Sequence, residues 1–327
     1  MKAPAFWWTP PDAPGWRARA LAPLGRVYAA ATARRVARPG HAAAVPVICV
    51  GNLTAGGAGK TPTVAWLAER LSARAPHVVS RGHGGRLDGP VRVDPARHTA
   101  ADVGDEPLLL SAWAPVWVAR DRAAGVRAAE AAGAGAILLD DGFQNPAVAK
   151  TLSILVIDAA TGFGNGRCIP AGPLREPPAA GLARAHAALV LGPDADRARF
   201  LAAWRPRLPA ALAEGRIAPL ETGMDWTGTR VFAFAGIARP DKVWATLRDL
   251  GADIAGTRAL DDHQPITPAL FARLAAEARA LKAQLVTTEK DAVRLPPDAR
   301  AEVMVLPVRL RLVRDDGLTA RIDAAVR

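Results

Sequence analysis

Hydrophobic residues along the chain collect into short apolar runs, and segments with helical spacing separate them. Val45-Pro-Val-Ile-Cys-Val-Gly51, His77–Ser80, Val116–Ala119, Ala136–Asp140, Leu152–Ile157 and Ala187–Leu191 are brief and rich in β-branched residues, which predicts buried strands. Between them, Thr61–Ala73 places Val64, Leu67, Ala68 and Leu71 on one helical face, and Glu106–Trp113 and Asp121–Ala132 also read as helices. Such β–α alternation predicts a parallel sheet wrapped by helices. The texture changes near 205–230, where Pro206, Pro209, Pro219 and Gly223 cluster. Beyond it, strands are expected at Val231–Ala235 and Gln284–Thr288 and helices at Asp241–Leu250 and Pro268–Leu281, with a weakly alternating stretch at 303–312 ending that sheet.

The N-terminus has a different pattern. Residues 1–15 are proline-rich and carry Phe6, Trp7 and Trp8; a basic helix follows over roughly Pro23–Arg38, opened by Pro23 and ended by Pro39-Gly40. Leu24, Val27, Tyr28 and Ala31 recur at helical spacing among Arg26, Arg34, Arg35 and Arg38. The expected division is therefore an N-terminal segment over 1–40, an α/β core over 41–225 and a smaller C-terminal α/β domain over 226–327. No apolar run reaches the roughly 18 residues that a membrane-spanning helix needs. Pro4, Pro10, Pro11 and Pro14 break the N-terminal apolar residues, so no signal peptide is expected.

Composition changes this picture only slightly. Half of the 327 residues are hydrophobic, as in a folded chain. A net charge of +11 suits an acidic partner, and equally an arginine-rich solvated surface. The two cysteines, Cys49 and Cys168, stand in no metal-like spacing, which reads as free thiols in a reducing compartment.

The chemistry concentrates after the first strand. Thr54-Ala-Gly-Gly-Ala-Gly-Lys-Thr61 links a strand to a helix, the context a phosphate-binding loop requires. Glycines 56, 57 and 59 let backbone N–H groups approach phosphate oxygens, as do the flanking Ala55 and Ala58 amides. Lys60 can reach the β- and γ-phosphates, and Thr61 can offer its hydroxyl to Mg²⁺. Thr54 departs from the usual GxxxxGK[ST] pattern, which starts with glycine. Asp140 and Asp141 end an apolar strand, where a carboxylate can hold Mg²⁺ directly or through water; alone, they could also cap a helix. A nucleotide with Mg²⁺ is the expected cofactor; the loop alone does not say which nucleotide or which reaction.

Several further segments, taken in order, carry a resemblance. Gly51-Asn-Leu-Thr-Ala-Gly-Gly-Ala-Gly-Lys-Thr-Pro62, Ser80-Arg-Gly82, Val103-Gly-Asp-Glu-Pro107, Asp140-Asp-Gly-Phe-Gln144, Gly164-Asn-Gly166, Pro170-Ala-Gly-Pro-Leu-Arg-Glu176, Asp262-His263 and Thr287-Thr-Glu-Lys-Asp-Ala-Val-Arg-Leu295 resemble the tetraacyldisaccharide 4'-kinases of lipid A biosynthesis. The resemblance spans almost the whole chain. It implies a P-loop NTPase-like fold, and transfer of a phosphoryl group from ATP to the 4'-hydroxyl of an acylated disaccharide at the cytoplasmic face of the inner membrane. It also makes Asp105 the general base and His263 its partner. Read by itself, Gly-Asp-Glu-Pro is a good helix start in which Asp105 would be a cap. Glu176 is a candidate metal or nucleotide contact, and Arg81, Arg175 and Asn165 are candidate phosphate or substrate contacts. Asn145, His83 and Gln264 depart from the family pattern at its histidine after DDGFQ, its tyrosine in SRGYG and the third position of DHH/DHY. Trp7, Trp8, Trp16, Tyr28 and the basic helix suit an anionic membrane surface. No nucleic-acid module and no protein partner are implied. The competing reading is another P-loop enzyme acting on a soluble small molecule. A GTPase would need an NKxD-type motif, which Glu289-Lys290-Asp291 matches only superficially.

Overall fold

The computed structural model describes residues 3–327. Thirteen strands form two sheets among these residues. In chain order they are β1 (Val47–Gly51), β2 (Pro76–Ser80), β3 (Val91–Arg92), β4 (Val116–Val118), β5 (Ala136–Asp140), β6 (Leu152–Asp158), β7 (Ala187–Leu191), β8 (Ala211–Pro219), β9 (Arg230–Ala235), β10 (Asp253–Ala259), β11 (Gln284–Thr288), β12 (Met304–Leu306) and β13 (Val308–Asp316). The larger sheet runs β13-β8-β7-β6-β1-β5-β2-β4-β3, and the smaller runs β10-β9-β11-β12. From β8 to β4 every neighbouring pair in the larger sheet is parallel; only its outer strands β13 and β3 are antiparallel.

The continuous apolar strands follow from burial on both faces. In β1, Ile48 and Val50 join one core cluster while Val47 and Cys49 join the other, so each side of the pleat meets its own helical layer. The same division splits the smaller sheet, where Phe232 and Phe234 face one cluster and Val231, Ala233 and Ala235 the other. The β1 strand is central, with β5 on one side and β6 on the other. Ligands of open α/β sheets bind where connections diverge in this way, beyond the carboxyl ends of the strands.

Two expectations change. The N-terminal helix α1 spans Gly15–Val36, so Pro23 lies inside it rather than in its first turn. Pro23 is exposed, so the hydrogen bond its ring removes is lost on the solvent side. Ala18, Gly25 and Thr32 form its buried stripe; a Cβ on Gly25 would sit 2.8 Å from the Cys168 carbonyl, so only glycine permits this approach. Leu24 and Val27 point outward, while Tyr28 is half-buried.

The second change concerns residues 308–327, expected in the C-terminal unit. Strand β12 pairs in the smaller sheet, yet β13, one residue later, pairs antiparallel with β8 at the edge of the larger one. Leu310, Leu318, Ile322 and Val326 bury against the larger core, which explains the return. Arg309, Arg311 and Arg314 charge the exposed edge.

Candidate active site

The phosphate loop leaves β1 and enters helix α2 (Lys60–Arg70). Asn52 organises it from within. Its buried amide donates to the Thr54 carbonyl at 2.8 Å, and its Oδ1 accepts from Lys60 Nζ at 3.1 Å. Gly59 caps α2 with φ +89°, a left-handed conformation that favours glycine, and a Cβ there would also have to displace the Leu191 methyl 2.6 Å away. Where Gly56 and Gly57 would carry a Cβ there is no heavy atom within 4 Å, so the loop's outer side is open. Ala55 and Ala58 flank these two glycines; the Ala55 N–H donates to the Pro173 carbonyl at 2.7 Å, and Ala58 is buried. Thr54 is not left-handed and forms a bridge to Leu174, which explains why glycine is not needed there. Thr61 is half-buried in the first turn of α2.

Two acids stand at the end of β5. Asp140 is buried; Ser80 Oγ donates to its Oδ2 at 3.1 Å, while its Oδ1 is buried without a hydrogen-bond partner. Burial, with repulsion from Glu106 and Asp141, pushes its carboxyl up to about 7. Asp141 behaves oppositely. Burial alone would raise it, but Lys60 at 3.6 Å and Arg175 at 2.7 Å outweigh that and hold it below the usual carboxylate range.

A second cluster forms where the smaller sheet meets the larger. Helix α3 (Ala100–Val103) is followed by helix α4 (Asp105–Leu110), which packs against α2. Gly104 is the cap residue of α4, so Asp105 does not hold that position. Its carboxylate faces the smaller unit: His263 Nδ1 lies 3.1 and 3.0 Å from its two oxygens. Asp105 is only 4 % exposed. Burial would raise its carboxyl, yet His263, Lys290 and Arg294 together hold it below the usual range. The hydrogen bond to Asp105 raises His263 in turn. His263 has φ +60°, a left-handed conformation that costs about 1–3 kcal/mol in a non-glycine residue and persists only where its surroundings impose it.

The remaining candidates divide. Arg175 joins Asp141. Glu176 is buried just behind, with both oxygens 2.6 Å from an Arg184 nitrogen and one also accepting from Gln144 at 2.9 Å. Arg81 is exposed at the end of β2. Asn165 is not gathered to the loop. Its amide donates to the Phe6 and Ala171 carbonyls and its Oδ1 accepts from the Arg167 N–H, so it ties the N-terminal turn to the 163–171 segment. Asn145 accepts from the Ala147 N–H in a local turn; His83 stands edge-on to His263 with ring centres 5.7 Å apart; Gln264 closes the turn beside His263.

The motifs by themselves give no role to Asn52, Ser80, Gln144, Lys290 or Arg294. Each lies within or beside a quoted motif, but nothing in its spacing shows what it touches. Gln144 donates to both the Asn52 carbonyl and Glu176, linking the loop to the 170–176 segment.

The sequence profile of the family described as "LpxK: Tetraacyldisaccharide-1-P 4'-kinase" matches residues 17–327. The tetraacyldisaccharide 4'-kinase of Dinoroseobacter shibae is 64 % identical over 327 residues, covering 99 % of this chain and 97 % of that one. That of Rhodospirillum centenum is 56 % identical, covering 97 % and 95 %. The solved LpxK from Aquifex aeolicus, in complex with ATP, superposes with a TM-score of 0.77 at 24 % identity, covering 95 % of this chain and 99 % of that chain.

Proposed function

The chain belongs to the tetraacyldisaccharide 4'-kinase family, an ATP-dependent phosphotransferase family acting on a lipid A precursor, and we propose that Asp105, paired with His263, takes the proton of the acceptor's 4'-hydroxyl. A sugar hydroxyl is a weak nucleophile, so a positioned base assists its attack. The hydroxyl proton passes to an Asp105 oxygen as the sugar oxygen's electron pair forms the new O–P bond and the bond to the leaving ADP oxygen breaks. His263, held at both Asp105 oxygens, orients the carboxylate. What carries this reading is a buried carboxylate at the start of α4 and a histidine from the turn after β10 of the smaller unit, meeting beside the phosphate-loop helix.

Lys60 and the N–H groups of residues 56–61 receive the phosphates in this reading, the Ala55 N–H being committed to the Pro173 carbonyl. The residues fit Mg²⁺. Asp140 has a buried, unpartnered oxygen and a carboxyl whose charge its surroundings oppose, conditions that a divalent cation relieves. Thr61, Asp140 and Asp141 would hold it, and it would neutralise the charge that develops on the nucleotide's phosphates. No cluster of three or more His, Cys, Asp or Glu side chains suited to a metal occurs among the described residues. A phosphate-loop Mg²⁺ does not need one, because it takes phosphate and water ligands. Glu176 supports the site through Gln144, and Arg175 holds Asp141; Arg81 stands free to meet a phosphate.

No helix among the described residues is long and apolar enough to cross a membrane. The outward face of α1 supports a peripheral contact at the inner membrane's cytoplasmic face instead: Trp16 is 74 %, Leu24 57 % and Val27 67 % exposed, with Arg17, Arg26, Arg34 and Arg35 around them. Replacing Leu24 and Val27 together by Glu should release the protein from anionic vesicles; undiminished sedimentation with vesicles would reject this face.

The function is tested by incubating the pure protein with labelled ATP and tetraacyldisaccharide 1-phosphate in detergent micelles. Label should move to the glycolipid only when Mg²⁺ is present. A folded protein that transfers none would overturn the reading.

A further inference from the structure

Thr287-Thr-Glu-Lys-Asp-Ala-Val-Arg294 is conspicuous in the sequence and plays no part in the chemistry above. In the structure nearly every polar side chain of the segment has an assignable task. The Thr288 hydroxyl accepts from the Asp291 N–H and caps the helical turn Glu289–Ala292. Glu289 binds Arg309 at 2.9 Å and accepts from the Val308 N–H, where the chain crosses between the sheets. Asp291 is fully buried, accepts from the Gly236 N–H and pairs with Arg294. Arg294 donates to the Gln264 and Gly236 carbonyls at 3.0 Å. These bonds make a rigid platform.

Two cations of that platform face Asp105. Lys290 Nζ lies 4.0 Å from its Oδ2, 3.3 Å from Glu106 and 3.9 Å from Asp262. Arg294 Nε lies 3.9 Å from the same Asp105 oxygen and is buried with no hydrogen-bond partner of its own. An unpartnered N–H at that depth is uncommon, and here it stands beside the buried carboxylate. We propose that Lys290 and Arg294 are positioning residues for phosphoryl transfer: from one rigid turn they keep the buried Asp105 carboxylate ionised and aimed at the acceptor. The proposal rests on the reading of Asp105 as the base.

The groups facing Asp105 are Glu106 on its own helix, Asp262 and His263 on the adjoining loop, and Lys290 and Arg294 on the platform. Removing the Lys290 charge leaves Glu106 and Asp262 uncompensated, which favours protonated Asp105.

The test is the pH dependence of kcat for Lys290→Met, Lys290→Arg, Asp262→Asn and Asp105→Asn, with ATP binding and thermal melting measured alongside. Lys290→Met should move the acid limb of the profile up by about one pH unit, a roughly tenfold loss below it. Lys290→Arg should restore the limb, and Asp262→Asn should shift it slightly the other way. An acid limb unmoved in Lys290→Met, with turnover lost equally at every pH, makes Lys290 a structural tie and overturns the proposal. If Lys290→Met does not fold, Asp262→Asn decides, and an unmoved limb there overturns it too. Substantial turnover in Asp105→Asn overturns the base reading and this inference with it. An inactive Asp105→Asn beside an unmoved Lys290→Met limb overturns the inference alone.

Discussion

The two sides of the site are built in different ways. On the phosphate-loop side, β1, residues 52–59 and α2 follow one another directly, and Asn52 binds the loop and Lys60 through short-range bonds. On the side proposed to receive the acceptor, Asp105 comes from the larger sheet's layer, while His263, Lys290 and Arg294 come from the smaller unit, 158 residues away in the case of His263. The first side can form wherever a strand, a loop and a helix form. The second exists only when the two units meet. Beyond it, Asp158 at the end of β6 draws Arg239 and Lys242 of the smaller unit to 3.0 Å, a second tie between the halves. Nucleotide binding and base catalysis are therefore expected to fail separately.

The sharpest way to break this comparison is Asp105→Asn. Turnover should fall by about 10²–10⁴-fold. ATP affinity, measured by calorimetric titration, should stay within a factor of two or so, since a factor of two is only about 0.4 kcal/mol. Parallel loss of ATP binding would show that the two sides are one unit. Lys60→Ala is the converse. It removes the cation between Asn52 and Asp141 and should weaken ATP binding by at least about tenfold, or ~1.4 kcal/mol, as well as turnover.

Asp140→Asn probes the phosphate-loop side without nucleotide. The Asp140 carboxyl titrates near 7 in the fold, above its ordinary value of 3.8. Its charge therefore opposes folding increasingly from the ordinary carboxylate range upward, with the full cost present above pH 7. The variant should melt a few degrees higher than the parent at pH 8. At pH 4 the two should melt alike, and the variant should lose Mg²⁺-dependent turnover. A lower melting temperature at pH 8 would mean that the carboxylate is satisfied within the fold.

The smallest effect concerns the acceptor side. Asp105 lies below its ordinary 3.8, so its share of the pair's stability is in place above that value and is lost as pH falls through the depressed one. His263 lies above its ordinary 6.5, so its share is in place below 6.5 and is lost as pH rises through the raised one. The pair therefore contributes most between about pH 4 and 6.5. His263→Gln should lower the melting temperature most in that window, by the equivalent of about 1 kcal/mol or less, because His263 is partly exposed. A deficit independent of pH would mean that His263 acts through packing alone.

Much of the fold can be read from the chain. Strands β1, β5, β6 and β7 lie within a residue or two of their apolar runs, because burial on both faces demands unbroken hydrophobicity. Strand β8 has no such apolar run. Its Ala-Leu-Ala-Glu-Gly-Arg-Ile-Ala-Pro sequence has low strand propensity, and pairing with β7 and β13 gives it its conformation. The alternating stretch 303–312 reads as the end of the smaller sheet, yet from Val308 onward it pairs with β8 of the larger one, because alternation reveals a strand but not its neighbour. Of the site, the loop, the paired acids and the Asp105–His263 couple were all marked by motifs. The roles of Asn52, Gln144, Lys290 and Arg294 were not, since a side chain's partners depend on where other elements bring theirs.

The sequence by itself determined the phosphate loop, the parallel sheet that presents it and the family to which the chain belongs. Those features depend on neighbouring residues and on periodicity, which are properties of the chain. Only the tertiary structure decided that Asp105 is no helix cap, that His263, Lys290 and Arg294 surround it, and that Asp140 and Asp141 are driven to opposite protonation tendencies. These outcomes depend on burial and on charges a few ångströms apart in space, which distance along the chain does not encode.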